Sequence, residues 1–428
     1  MTAASDLARR NALGAYAAVT AAYWAFMLTD GALRMLVLLH FHTLGFSPVQ
    51  LAYLFLLYEF MGIVTNLSAG WIAARFGLTS TLYAGLLLQI VALAALTQLD
   101  PGWTMAVSVA FVMLVQGASG VAKDLAKMSA KSAVKVLAPA EEQGALFRWV
   151  AALTGSKNAV KGLGFLLGAA LLATIGFQGA MVGMAAVLAA ILAAVVLLMP
   201  AGLPRGKKKV KFAEVFSKNR NVNRLSAARM FLFGARDVWF VVGIPIYFYG
   251  VLSDGTPEGN RAAFFLIGSF MAVWIIGYGI VQGFAPRLLR ARDKGLAQTV
   301  GMARFWVGIL TLVPAALAAA AFFAGGAVET WLTVLLVAGL LLFGAVFALN
   351  SALHSYLILA FSEGDRVTMD VGFYYMSNAA GRLLGTLLSG LSFQAGGLPL
   401  CLATAAAMAA ASWLCAGRLA KQRGLSAA

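Results

Sequence analysis

Two similar stretches, one in each half of the chain, decide the fold. SKNAVKGLGFLLG occupies Ser156–Gly168 and SNAAGRLLGTLLS occupies Ser377–Ser389, and the two align without gaps. Gly164 matches Gly385, and the basic Lys161 matches Arg382 at the same place in a largely apolar segment. Compositional bias toward Ala, Leu and Gly does not readily produce such a basic match. We therefore predict an internal repeat. A shorter match, FMLTD (Phe26–Asp30) with FGARD (Phe233–Asp237), is by itself no better than chance.

The composition around these stretches is that of a membrane protein. Of the 428 residues, 61% are hydrophobic and 11% are charged, whereas soluble domains carry about 25% charged residues. Apolar segments of the length that a bilayer requires recur along the whole chain. The first segment contains Asp30 and Arg34, and it is too long and too charged for a cleavable signal peptide. We interpret it as a retained first span.

We predict an all-α membrane protein with twelve transmembrane helices in two pseudo-symmetric six-helix bundles. The bundles are expected at 1–200 and 226–428, joined by a basic cytoplasmic linker at 201–225 that carries GKKKVK. The predicted spans are 13–40, 48–74, 79–99, 103–123, 146–174, 178–200, 226–250, 262–285, 297–323, 330–357, 367–393 and 397–419.

The distribution of charge predicts the orientation. A net charge of +16 in a soluble protein would suggest a nucleic-acid partner. Here, however, 24 of the 32 Lys and Arg residues fall on the side of the predicted spans that carries both termini, and the opposite loops hold only Arg261. By the positive-inside rule both termini are cytoplasmic. We expect a multi-pass protein of the inner (plasma) membrane, a monomer, with no nucleic-acid partner. The lipid bilayer is the expected surroundings, and the linker would be drawn to anionic lipid head groups.

Charged residues in the middle of the predicted spans are the candidate functional groups, because a charge in the bilayer needs a partner or a wet cavity. We predict that a small anion is bound by Arg34, Lys157, Lys161, Arg236, Arg382 and Asn378. Asp30, Glu59 and Asp237 would carry a coupled proton or form structural ion pairs. Asp30 and Arg34, four residues apart on one helix, are expected to pair with each other. The alternative is that the carboxylates simply neutralise the cations.

Several other positively charged residues are expected to lie nearer the membrane surface. A lysine stripe that includes Lys123 and Lys127 follows the fourth span and would either draw anions to the cytoplasmic mouth or anchor the helix. Arg229 and Arg304 lie close enough to span ends for their side chains to reach the interface. Of the three histidines, His354 is expected near the cytoplasmic end of a span.

No enzymatic motif is present in the sequence. The chain has neither a phosphate-binding Gly-x4-Gly-Lys-Ser/Thr loop nor a cluster of metal ligands. Cys401 and Cys415 are too far apart along one helix to form a disulfide. We therefore expect no cofactor and no bound metal.

Two resemblances narrow the class. Parallel six-helix repeats are typical of major facilitator transporters, and GWIAARFG at Gly70–Gly77 resembles their cytoplasmic loop motif. It departs from that motif at Ala74, where the family has an aspartate that helps to latch the cytoplasmic gate. Leu78 likewise stands where the family has a basic residue. The sequence therefore lacks the carboxylate that forms this latch in the family.

The chain also resembles the organoarsenical efflux permeases, the ArsJ branch of the same superfamily. The resemblance lies in YWAFMLTDGALRMLVLLHFHTLGFSP, LYEFMGIVTNLSAGW, AKDLAKMSAKS, TGSKNAVKGLGF, SAARMFLFGARDVWFVVGIPIY and GYGIVQGFAPRL. It implies export of 1-arseno-3-phosphoglycerate in arsenate resistance. It also implies a functional link to glyceraldehyde-3-phosphate dehydrogenase, which makes this ester. The alternatives are an organic-phosphate exchanger, a proton-driven exporter of another anionic metabolite, and a membrane receptor or scaffold that does not transport.

Overall fold

The computed structural model describes residues 3–137, 145–198, 217, 219–290, 294–326, 329–362 and 367–419. Within these ranges all regular structure is helical. The helices are α1 Ala3–Thr43, α2 Pro48–Leu96, α3 Met105–Leu137, α4 Ala145–Leu198, α5 Arg220–Val238, α6 Ile244–Leu252, α7 Pro257–Leu288, α8 Leu296–Phe323, α9 Thr330–Phe361 and α10 Val367–Gly417. A π-helical turn at Trp239–Gly243 joins α5 to α6.

Three of the longest helices are interrupted at glycine. Gly77 in α2 has φ 75° and Gly176 in α4 has φ 70°, and α10 has non-helical backbone at Gly396 and Gly397. A right-handed helix does not continue through positive φ, a region that glycine adopts without steric cost. Each break therefore reverses or redirects the chain between two membrane crossings.

These breaks explain the number of crossings. The described residues contain ten helices long and apolar enough to span a membrane, and two of them, Ser156–Leu197 and Asp370–Gly417, have 42 and 48 residues. About 20 residues cross a bilayer, so each of these two provides a pair of crossings and the total is twelve. The all-α fold of the prediction is confirmed. An even number of crossings places both termini on one side, which we call the terminal side.

Two helices extend beyond the predicted spans. The fourth span was expected to end at Lys123, but α3 continues to Leu137, so Lys123 lies inside the helix. The seventh span was expected to begin after a linker ending at 225, but α5 begins at Arg220 after an Asn219 cap. Linker residues 201–216, including GKKKVK, lie outside the described residues. So do the side chains of Ala74 and Leu78 in the loop motif and those of Lys131 and Lys135 in the lysine stripe.

The apolar residues form two buried cores that follow the two halves. One core draws mainly on α1–α4 and the other mainly on α5–α10. Large apolar side chains also face outward, with Leu197 82% and Phe323 83% exposed. Such an outer surface suits lipid, since exposed apolar patches of this extent are rare on soluble monomers.

Glycine allows the backbones of two helix pairs to touch. On Gly31 and Gly164, where α1 crosses α4, an added Cβ would lie 2.6 Å and 2.5 Å from the carbonyl oxygens of Lys161 and Leu28. At the crossing of α5 with α10, a Cβ on Gly385 would lie 2.7 Å from the carbonyl oxygen of Gly234. Small residues of this kind permit close packing between membrane helices. The two crossings involve the segments that the repeat pairs with each other.

The two halves pack against each other along α4 with α7 and along α2 with α10. A Cβ on Gly268 of α7 would meet Ala169 of α4, and a Cβ on Gly390 of α10 would meet the backbone of Pro48 in α2. On the side opposite the termini, the backbone N–H of Val49 donates to Gln394 Oε1 at 3.2 Å. The halves are therefore in contact on that side of the membrane.

We expect Gly168→Ala to lower the thermal stability of the protein, because the added methyl overlaps the backbone of Ala32. Overpacking of this kind costs about 1–3 kcal/mol. The matched control is Gly183→Ala in the same helix, where an added Cβ meets nothing within 4 Å. Thermal unfolding in detergent measures both variants. Equal transitions for the two would contradict the close α1–α4 crossing.

Candidate functional site

Five helices bring charged side chains together at the midpoints of their membrane crossings. The residues are Asp30 and Arg34 of α1, Glu59 of α2, Lys161 of α4, Arg236 and Asp237 of α5, and Arg382 of α10. We call this set the central cluster. It contains seven of the nine residues that the sequence assigned to substrate or proton binding.

Glu59 joins the two halves of the protein. Its Oε1 atom lies 2.6 Å from Arg34 Nη2 and 2.5 Å from Arg382 Nη2. The carboxylate is 1% exposed, so these charge-assisted hydrogen bonds form away from water, where they are strong. The pair with Arg382 crosses from the N-terminal to the C-terminal half.

Asp237 holds two guanidinium groups of the C-terminal half. Its Oδ1 is 2.5 Å from Arg236 Nη2, and its Oδ2 is 3.3 Å from Arg382 Nε. Arg382 therefore bridges Asp237 and Glu59. The π-helical turn begins directly after this site, and its Val242 and Gly243 amides both donate to Ser389 Oγ at 3.2 Å. Such π-helical turns are frequent at functional sites.

Asp30 has different partners from the one predicted. Its ion pair is with Lys161 at 3.3 Å, and it accepts a hydrogen bond from the Tyr58 hydroxyl at 2.5 Å. The expected pair with Arg34 was wrong, because Arg34 points to Glu59 on α2 instead. Helical spacing showed that Asp30 and Arg34 share a face, but it could not show that other helices offer closer partners.

The repeat has a counterpart in these contacts. Asp30 pairs with Lys161 in the first half and Asp237 pairs with Arg382 in the second, both at 3.3 Å. The aligned segments had matched Asp30 with Asp237 and Lys161 with Arg382. The short FMLTD/FGARD match, which the sequence alone could not separate from chance, thus has a structural basis.

Lys123 lies beside the central cluster and not at the cytoplasmic mouth. It is 8% exposed, and its Nζ sits 4.0 Å from the centre of the Tyr58 ring. The reason is the extension of α3 beyond the predicted end of the span. Lys127, one turn further along, is paired with Asp124 at 2.9 Å and donates to Asn66 at 2.7 Å. A role for either lysine in drawing anions stays a prediction.

The two remaining predicted residues flank the cluster. Lys157 is half-buried one turn before Lys161, and it makes interactions within the chain. Asn378 is half-buried one turn before Arg382, and its Oδ1 has no hydrogen-bond partner among the described residues. The repeat places these two at matching positions.

Sequence reasoning missed several buried polar residues. Asp124 is fully buried and accepts a hydrogen bond from Thr65 at 2.5 Å. Arg229, expected to reach the interface, is instead 4% exposed, and His354 is completely buried. Thr65 and Asp124 do not follow a sequence pattern that would have revealed them. The distance of Arg229 from the membrane surface was underestimated because α5 begins six residues before the predicted span.

The positively charged side chains of the central cluster are more exposed than the negatively charged ones. The side chains of Arg34, Lys161, Arg236 and Arg382 are 12–16% exposed, whereas those of Asp30, Glu59 and Asp237 are 1–2% exposed. With Lys123 the cluster holds five cations and three carboxylates. The positive groups are therefore the more accessible ones of the cluster.

Within the described residues, no group of three or more His, Cys, Asp or Glu side chains could hold a metal ion. Cys401 is buried, Cys415 is half-buried, and both are free thiols.

Twelve crossings in two repeated halves, with charged groups buried at mid-membrane between them, define the architecture of a secondary transporter. A family model described as Major Facilitator Superfamily matches residues 13–355. The chain belongs to the Major Facilitator Superfamily. The family indicates a transporter and not an enzyme.

Solved structures share this fold at low sequence identity. A POT family transporter in complex with a thioalcohol-conjugated peptide superposes with a TM-score of 0.68 at 14% identity, covering 93% of this chain and 94% of that one. A POT family transporter in complex with 5-aminolevulinic acid gives 0.70 at 14% identity, with 93% and 94% covered. A variant of the nucleoside transporter NupG gives 0.64 at 17% identity, with 96% and 98% covered. A search of curated proteins gave no match.

We expect Glu59→Gln to destabilise the protein strongly, because it leaves the guanidinium groups of Arg34 and Arg382 without the buried carboxylate that they share. Removing one partner of a buried ion pair typically costs about 3–5 kcal/mol. The control is Glu258→Gln at the exposed start of α7. Thermal unfolding of the purified proteins measures the difference. A Glu59→Gln protein as stable as the control would show that the inter-half ion pair contributes little.

Proposed function

We propose that the protein is a secondary active transporter that exports a small anion with more than one negatively charged group. The observation that carries this proposal is the accessibility of the cations in the central cluster while their carboxylate partners are buried. The planar guanidinium group of Arg can donate two parallel hydrogen bonds to a carboxylate, phosphate or arsenate group. The Lys ammonium group adds a mobile positive charge. The excess of cations favours a substrate with several charges.

The substrate that we propose is 1-arseno-3-phosphoglycerate. Support comes from the sequence resemblance to the organoarsenical efflux permeases, and the excess of buried positive charge is compatible with a molecule that has an arsenate and a phosphate end. Glyceraldehyde-3-phosphate dehydrogenase would supply this ester from arsenate. In this proposal the protein confers arsenate resistance and is linked functionally to the dehydrogenase, which produces its substrate.

Alternating access would proceed by movement of the bundle at 1–200 against the bundle at 226–428. The substrate competes with Glu59 and Asp237 for Arg382, so its binding loosens the one ion pair of the cluster that crosses between the halves. Lys161 of the N-terminal half and Arg382 of the C-terminal half bind the oxyanion groups of the substrate. Arg34 and Arg236 close the site. Lys157 and Asn378 complete its walls.

Among the three carboxylates, Asp30 is the one best suited to carry a proton. Its ion-pair partner is a lysine, whereas Glu59 and Asp237 each face two guanidinium groups that stay charged in proteins. Protonation of Asp30 would break its ion pair with Lys161, so a proton and the substrate would act on the same lysine.

The orientation that we propose is an inner (plasma) membrane protein with both termini in the cytoplasm. The positive-inside distribution of Lys and Arg supports it. The hydrogen bond between Val49 and Gln394 then lies on the external side.

An organic-phosphate exchanger is the second candidate. Glu59 and Asp237 each contact two guanidinium groups. This favours an exchanger, because exchange of one anion for another needs no carboxylate that takes up a proton. Everted vesicles that contain the protein separate the candidates. We would measure arsenic uptake with arsenate alone, and with arsenate, glyceraldehyde 3-phosphate, NAD and the dehydrogenase.

Arsenic that enters only with the complete mixture supports organoarsenical export. A requirement for phosphate inside the vesicles favours the exchanger. Uptake from arsenate alone indicates an inorganic oxyanion carrier. Saturable binding of the ester with no flux in either mixture indicates a receptor and overturns the transport proposal.

We expect the double substitution Lys161→Met and Arg382→Met to reduce the initial rate of uptake at low substrate by at least about 10-fold. Hydrogen bonds to charged groups contribute about 1.5–3 kcal/mol each, and 1.4 kcal/mol corresponds to a factor of ten. The control is Arg261→Met, which removes an exposed cation outside the cluster. Uptake that survives the double substitution in correctly inserted protein would rule out these two residues as the substrate grip.

A further inference from the structure

Arg229 is a buried cation without a carboxylate partner among the described residues. It is 4% exposed, and no Asp or Glu oxygen of the described residues lies within 4.0 Å of its guanidinium. Its position on α5 is seven residues before Arg236, which is about 10 Å along the helix toward the terminal side. A charge at this depth of a membrane protein requires compensation.

The direct partners of Arg229 are neutral. Its Nη1 donates to Ser351 Oγ at 3.0 Å and to the Ser351 carbonyl oxygen at 3.3 Å. Gln282 Nε2 donates to the same Ser351 hydroxyl at 3.3 Å, and the Tyr278 hydroxyl is 3.5 Å from it. The Phe233 ring, with its centre 4.0 Å from Arg229 Cζ, adds a cation–π contact. These groups orient the guanidinium but do not neutralise it.

Donors in this region are left without acceptors. The Nε of Arg229 has no hydrogen-bond partner among the described residues. His354, one turn along α9 from Ser351, is completely buried, and neither of its ring nitrogens has a partner in the described part of the chain. Buried polar groups are nearly always hydrogen-bonded. Unpaired donors beside an unneutralised cation are the features of a site for an anionic group.

This region adjoins the central cluster. The Phe233 ring contacts two guanidinium groups, with its centre 4.0 Å from Arg229 Cζ and 4.8 Å from Arg236 Cζ. The two guanidinium carbons are therefore less than 9 Å apart, the sum of these distances being their upper limit. An anion that binds Arg236 with one end can reach Arg229 with the other if a short carbon chain joins its charged groups.

The region also touches the other half of the protein. Asn158 Nδ2 of α4, next to Lys157, lies 3.5 Å from Gln282 Oε1, and Gln282 in turn donates to Ser351. Neutral hydrogen bonds would thus connect a group bound at Arg229 to both halves of the protein.

We infer that Arg229, Ser351 and His354 form a second oxyanion subsite, and that the substrates are small anions with two oxyanion groups on a short carbon chain. The central cluster binds one group and Arg229 binds the other. This inference rests on the proposed function, because it assumes that the central cluster binds the anion. It adds the residues that bind the second charged group and the distance between the two binding positions.

The test compares two probes that share a phosphate and differ in the second charge. The first is 3-phosphoglycerate, with a carboxylate and a phosphate, and the second is glycerol 3-phosphate, with the phosphate only. Calorimetric titration of the purified full-length protein measures the affinity for each. We expect the wild-type protein to bind 3-phosphoglycerate at least about 10-fold more tightly, since charged hydrogen bonds contribute about 1.5–3 kcal/mol.

Arg229→Met should remove this preference by weakening 3-phosphoglycerate alone, whereas Arg382→Met should weaken both probes. Arg304→Met, which removes an exposed arginine stacked on Trp413, is the matched control and should preserve both affinities. Arg229→Lys, which keeps the charge but loses the two-pronged donor, should give an intermediate preference. It also serves as the second variant if Arg229→Met fails to fold.

Three outcomes would overturn the inference. Equal affinity of the wild-type protein for the two probes, or an unchanged preference in both Arg229 variants, would overturn it and leave the proposed anion transport standing. Absence of binding for both probes would overturn the subsite together with the proposed anion site.

Discussion

The rest of the structure depends on the bridge that Arg382 makes between Glu59 and Asp237. A lone charge at mid-membrane is costly, so every charged side chain of the central cluster must find a partner on another helix or a wet cavity. Glu59 takes one guanidinium from its own half and one from the other half. Arg382 takes a carboxylate from each half as well. The positions of α1, α2, α5 and α10 are coupled through these two side chains.

The internal repeat gives this arrangement its regularity. Each half crosses two helices at glycine and places an acidic residue of one helix opposite a basic residue of the other. In the first half the pair is Asp30 with Lys161, and in the second it is Asp237 with Arg382. The halves differ in the chemistry of the base, since lysine can release a proton and arginine does not. The corresponding ion pairs thus contain a base that can lose its proton in one half and a permanently charged base in the other.

The sequence predicted the fold and most of the central cluster, because both depend on properties that are visible along the chain. The lengths of the apolar segments determine the number and position of the membrane crossings. Charged residues such as Glu59 and Arg382 are easily recognised within apolar segments. The partners of those charges could not be predicted, since they depend on how helices rotate and approach. Asp30 and Arg34 share a helical face, yet each pairs with a different helix. Arg229 and Lys123 were predicted too near the membrane surface. Their helices extend into the polar sequence beside the apolar segments, where no sequence pattern marks the end of a helix.

The close glycine crossings have a mechanical consequence. Gly31 and Gly164 bring α1 and α4 into backbone contact, and Gly234 and Gly385 do so for α5 and α10. Backbones this close leave no room for the two helices to slide past each other, so each crossing resists rearrangement within its own half. Among the described residues, the ion pair between Glu59 and Arg382 joins one half to the other, together with the hydrogen bonds Val49–Gln394 and Asn158–Gln282. A ligand that displaces Glu59 from Arg382 would therefore weaken a contact between the halves and leave the packing inside each half in place.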